Sequence, residues 1–131
     1  VDMQRDGMPA EKSGTGISMI ESMKKATSEL LVLSFLKEKS MPITEIVSEI
    51  AEKSSGLYTI SGAYALFYRL ERFGYLHEAG RKIAKDNRRR QFYEITPEGR
   101  AYCQLLYRQY FELTAAIENI LQEGGDKKKD D

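Results

Sequence analysis

The chain has 131 residues, 41% of them apolar and 31% charged, and its 20 basic and 20 acidic side chains cancel. That composition predicts one globular domain with room for a long helix or tails, and no run approaches the roughly 20 apolar residues of a membrane span. One cysteine, Cys103, excludes an internal disulfide and fits a reducing cytoplasm, and with His77 as the one histidine no structural zinc site and no other cofactor is expected.

Val1 to about Gly16 is polar and without period, which predicts a disordered tail over residues 1–17 with no apolar core for a secretory leader. Ser18 with Glu21 has the spacing of a capping box and predicts a short helical turn. The first strong helix is expected from about Thr27 to Glu38, where Leu30, Leu31 and Phe35, with Leu33 or Leu36, make a wide apolar face. Ser40-Met41-Pro42 breaks it, and Pro42 suits the entry to a second helix in which Ile43, Ile46, Val47 and Ile50 recur at helical spacing. Glu45, Glu49 and Glu52 line one side of that helix and read as a solvated face.

Ser54-Ser55-Gly56 ends the second helix, and a short connection from Leu57 to Ile60 leads to a third, from about Ser61 to Phe73. Its core stripe is Ala63, Leu66, Phe67, Leu70 and Phe73, and the opposite face carries Ser61, Tyr64, Ala65, Tyr68 and Arg72. Gly74 is placed to close this helix. A strand begins at Tyr75, Asp86-Asn87 supplies turn residues, and a return strand runs from Arg90 to Ile95. Thr96 as N-cap and Pro97 at the first helical position open a last helix expected to end near Gln122, stopped by Gly124-Gly125. The order of elements predicts a mainly helical α+β fold. A winged helix-turn-helix would occupy residues 18–96, a long C-terminal helix 97–122 and a disordered tail 123–131.

Two patterns point to partners. Between Arg81 and Arg90 stand six cations (Arg81, Lys82, Lys85, Arg88, Arg89 and Arg90) against one acid, Asp86. Such a basic hairpin beside a helix with a polar outer face fits double-stranded DNA, the cations gripping phosphate while Ser61, Tyr64, Tyr68 and Arg72 meet the groove. In the last helix Cys103, Leu106, Tyr110, Leu113, Ile117 and Ile120 alternate at spacings of three and four, an apolar seam that predicts a homodimer. No nucleophile elbow and no phosphate-cradling glycine loop is present, so no enzymatic activity is expected. A winged helix that meets an acidic protein partner is the competing reading, because the groove face is poor in base-reading residues.

The segments KKATSELLVLSFL, AYALFYRLERFGYL and RRQFYEITPEGRAY resemble the PadR-like winged-helix transcriptional regulators, in the short form with a single C-terminal helix. The combination of Tyr64, Arg69-Leu70, Gly74, Arg90, Tyr93, Thr96 and Gly99 carries the likeness. The resemblance implies a dimeric DNA-binding repressor whose last helix packs on the first helix of its partner, which adds Leu30 and Leu31 to the expected interface. It also implies Tyr64 at the DNA backbone. The second helix begins Thr44-Glu45-Ile46 where the family often has His-Gly-Tyr, which places Thr44 at a DNA-side position, and Ala65 stands where a proline often follows the tyrosine. Some short members bind planar aromatic compounds at the dimer interface through a tryptophan. This chain has none, and an aromatic effector would rest on Tyr102, Tyr107, Tyr110 or Phe111.

Overall fold

The computed structural model describes residue 14 and residues 16–130. Helix α1 spans Gly16–Glu38, strand β1 Met41–Pro42, helix α2 Ile43–Lys53, helix α3 Ala63–Arg72, strand β2 Leu76–Ile83, strand β3 Arg89–Ile95 and helix α4 Pro97–Asp130. No helix among the described residues is long and apolar enough to cross a membrane.

Helix α1 is longer than the apolar face from Thr27 predicts, and the Ser18–Glu21 pair lies inside it. The intervening residues are good helix formers with no proline or glycine to break them. Thr27 lies inside the helix, where its hydroxyl donates back to the Met23 carbonyl at 2.6 Å, a bond threonine makes within a helix. Gly16 and Ile17, expected in the tail, already belong to α1, and the rest of that expected tail lies outside the described residues apart from Gly14. Helix α4 likewise passes Gly124-Gly125 and reaches Asp130. A glycine inside a helix costs about 1 kcal/mol against alanine, a penalty that weakens a helix without forbidding it.

The helix-turn-helix follows the expected pattern with one change. Helix α2 ends through Ser54-Ser55-Gly56, where Gly56 takes φ +83° and its N–H donates to the Ala51 carbonyl at 2.7 Å. Helix α3 starts after Gly62 (φ +71°), so Ser61 precedes the helix instead of opening it. At its far end Gly74 takes φ +80°, while the Gly74 and Tyr75 amides donate to the Glu71 and Leu70 carbonyls at 2.9 Å each, a paired C-terminal cap.

The sheet order is β1-β3-β2, all antiparallel. Strand β1, only two residues long, pairs Met41 with Tyr93 and Pro42 with Phe92 and fastens the base of the wing to the entry of α2. Leu33, Leu36, Met41, Ile46, Phe67, Leu70 and Leu76 are almost wholly buried where the first three helices meet the sheet. Each such side chain contributes on the order of 2 kcal/mol. Phe73, expected in this core, is exposed, its ring stacked 6.0 Å from that of Tyr75.

Thr96 caps α4 as expected. Its hydroxyl accepts the Gly99 N–H at 2.9 Å and donates to the Gly74 carbonyl at 2.6 Å, tying the start of α4 to the end of α3. Gly99 is buried in this joint, and a Cβ there would stand 1.9 Å from the Tyr75 carbonyl oxygen. Backbone cannot yield as a side-chain tip can. Gly99→Ala is expected to destabilise the domain by about 2 kcal/mol after its gain in helix propensity, lowering Tm by roughly 10 °C in a thermal melt.

Candidate nucleic-acid interface

The outward face of α3 matches its expected polarity. Tyr64 is 70% and Tyr68 61% exposed, Ser61 and Arg72 are exposed, and the Arg72 guanidinium lies 5.8 Å from the centre of the Tyr68 ring. The buried face, Leu66, Phe67 and Leu70, holds the helix against the core. Phe67 also meets Tyr93 of the sheet edge-on, with ring centres 5.2 Å apart, so α3 and the wing are in direct contact.

A β-bulge decides which way the wing cations face. Glu78 pairs with Tyr93 and Arg81 with Gln91, so Ala79 and Gly80 together oppose Phe92 alone. Gly80 takes φ +99° there, and its carbonyl accepts from the Gln91 amide at 3.1 Å. The extra residue switches the alternation. Beyond it Arg81 and Ile83 share a face with Arg89, Gln91 and Tyr93, the face that packs on α3, while Lys82 and Arg90 share the other with Phe92. At the tip, the Asn87 N–H donates to the Ala84 carbonyl and Asn87 takes φ +65°, a turn closed by the Ala84 N–H to the Arg88 carbonyl at 2.8 Å.

The six wing cations therefore divide. Among the described residues Arg81, Arg88 and Arg89 have no ion-pair partner and stand exposed. Arg90 is folded back on Asp86, its two donors 2.6 and 3.0 Å from one carboxylate oxygen. That guanidinium, helped by the Arg88 N–H, holds the Asp86 carboxyl below the usual range. Lys82 sits 4.6 Å above the Phe92 ring. Lys85 points at α2, 3.2 Å from Glu49 and 3.4 Å from Glu45, so the first two glutamates of the expected solvated stripe are engaged instead. Thr44 is half-buried and lines the cleft between α2 and the wing turn.

The expected dimer seam divides as well. Cys103 and Leu30 are buried in the chain's own core, and Leu31 and Leu106 pack partly against it. Tyr110, Leu113, Ile117 and Ile120 are between 38% and 71% exposed, joined by Phe111 and Leu121 on α4 and by Ile17, Met19, Ile20 and Met23 on α1. Between these helices runs an apolar groove of about 460 Å³, lined by Met23, Leu31, Tyr58, Tyr107, Tyr110 and Phe111 among others.

Tyr102 is not part of that groove. It stacks on Tyr75 at 4.3 Å, and its hydroxyl donates to Glu29 at 2.6 Å. Burial, with the Glu29 carboxylate second, pushes the phenol up to about 12. Glu29 also meets Arg69 at 3.5 Å, which links α4, α1 and α3 through one carboxylate. Five positions separate Tyr102 from Tyr107, which turns it to a different side of the helix. Glu29, Glu45 and Glu49 are the residues that sequence reasoning missed, since only tertiary pairing distinguishes them from solvated acids.

Residues 32–105 match the model of the transcriptional regulator PadR-like family. An uncharacterised protein of Lysinibacillus sphaericus is 30% identical over 94 residues, 70% of this chain and 85% of that protein. A transcriptional regulator from Clostridium thermocellum is 31% identical with a TM-score of 0.63, over 75% of this chain and 95% of that one. A PadR-like regulator from Bacillus cereus, at 18% identity, shares the fold with a TM-score of 0.67 over 77% of this chain and 97% of that one. The winged helix, its three unpaired arginines and these matches lead to one assignment: the chain belongs to the PadR-like family of transcriptional regulators.

Proposed function

We propose that the protein is a homodimeric repressor that binds a palindromic operator in double-stranded DNA, α3 in the major groove and the wing on adjacent phosphate. The observation that carries this reading is the wing's exposed, unpaired arginine set, Arg81, Arg88 and Arg89, on a hairpin packed directly against α3. Phosphate grip dominates because α3 offers one strong base-reading side chain, Arg72, and two tyrosines. The exposed apolar residues of α1 and α4 supply the dimer face, and two-fold symmetry places two α3 helices on two half-sites. Selection of bound sequences from a random duplex pool tests this. Enrichment of inverted half-sites about one helical turn apart is expected, and a pool that stays random would contradict it.

A second reading is favoured by the groove. Its aromatic lining, Tyr58, Tyr107, Tyr110 and Phe111, suits a flat aromatic effector bound beside the dimer face, which would couple ligand to DNA affinity. Calorimetry with planar aromatic compounds gives heat if the groove is such a site and none if it is only packing surface.

A further inference from the structure

Among the described residues, polar contacts join the wing turn to the helical body at one place. Strand β1 pairs only with Tyr93 and Phe92, at the base of the wing, and leaves the tip beyond it unsupported. Among the described residues, the ion pairs of Lys85 are the only hydrogen bonds or salt bridges between the turn from Ile83 to Arg89 and any helix. Glu45 and Glu49 stand one helical turn apart on α2, so both carboxylates face the same way and meet one ammonium at 3.4 and 3.2 Å. Lys39 also approaches Glu45, at 4.0 Å. Together, Glu49 first and Glu45 second, the carboxylates hold Lys85 more firmly protonated than an ordinary lysine. The cleft they line, about 280 Å³, also carries Glu52 and Asp86, so its acids outnumber its single lysine. Such a cleft repels phosphate.

We propose that Lys85 is a positioning residue that latches the wing tip to α2, setting the angle at which Arg81, Arg88 and Arg89 stand beside α3, and that it does not itself grip DNA. The proposal rests on the DNA-binding reading for its consequence and on the α2–wing geometry for its substance. It reassigns a basic residue of the wing from contact to support, and it gives two glutamates on a DNA-binding surface a favourable role. Carboxylates near DNA ordinarily weaken binding, so their removal has opposite signs under the two accounts. If Glu45 and Glu49 merely repel phosphate, or withhold Lys85 from it, Glu45→Gln with Glu49→Gln tightens binding. If they hold the latch, the same change weakens it.

The test compares wild type, Lys85→Met, Lys85→Arg and the double glutamine variant. Two readouts apply: anisotropy with the duplex upstream of the protein's own gene at about 0.1 M salt, and amide exchange at Ala84 and Asn87, whose N–H groups close the wing turn. The latch predicts binding about threefold weaker in Lys85→Met and in the double variant, the scale of an exposed ion pair, with faster exchange at both amides. Lys85→Arg, which can still bridge two carboxylates, restores both readouts. Tighter or unchanged binding in the double variant, or exchange that does not respond, overturns the proposal. If wild type fails to bind this duplex while exchange still rises in both latch variants, the latch stands and the DNA-binding reading falls.

Discussion

Replacing Arg81, Arg88 and Arg89 together by alanine is expected to weaken DNA binding a few hundredfold per half-site at about 0.1 M salt and to flatten its salt dependence. Each guanidinium that neutralises a phosphate releases counterion, which steepens the slope of log affinity against log salt by about 0.9. Losing three contacts per protomer removes about 2.7 from that slope per half-site, a factor of a few hundred between 1 M and 0.1 M salt. Arg90 is left out of the set because Asp86 already holds it at 2.6 Å. Removing it would disturb the turn that Asp86 organises and confuse lost grip with lost shape. Anisotropy over a salt series checks the result, and a triple variant that keeps both affinity and slope would remove the wing from the interface.

The second large effect concerns assembly. Leu113→Asp is expected to weaken the dimer at least about hundredfold, because a carboxylate buried at an apolar face without a partner costs on the order of 3 kcal/mol or more. Leu113 is 63% exposed within the protomer, so its replacement leaves the core untouched and circular dichroism should remain that of the wild type. Sedimentation velocity at micromolar concentration reads the outcome. A variant that sediments as wild type places the contact between copies elsewhere than α4.

Much of the fold was legible because its signals are local. Pro42, Gly56, Gly74 and Thr96 each mark a helix boundary through a backbone requirement, and the structure has a boundary at every one. The misses have equally physical causes. A two-residue strand such as β1 has no period to detect and exists only through its partner. The apolar face of α1 begins near Thr27 and suggests a helix start there, although the helix extends back to Gly16 because no breaker intervenes. The bulge at Gly80 reverses the alternation of β2, and a reading by parity alone misplaces Arg81.

The site was less legible than the fold. Six wing cations look alike in sequence, yet their partners divide them into an unpaired set, a turn organiser and a residue drawn toward α2. Tyr102 belonged by composition with Tyr107, Tyr110 and Phe111, and its bond to Glu29 sets it apart. Cys103 and Leu30 continue an apolar pattern that is uniform in sequence but is core at one end and surface at the other.

The most direct test of the account is the salt dependence of wild-type binding to the duplex upstream of its own gene, followed by anisotropy between about 50 and 200 mM salt. The proposed dimer, with three wing arginines per protomer that are unpaired among the described residues, predicts a slope of log affinity against log salt near −5. A slope near zero, or no binding at the lowest salt, would contradict it.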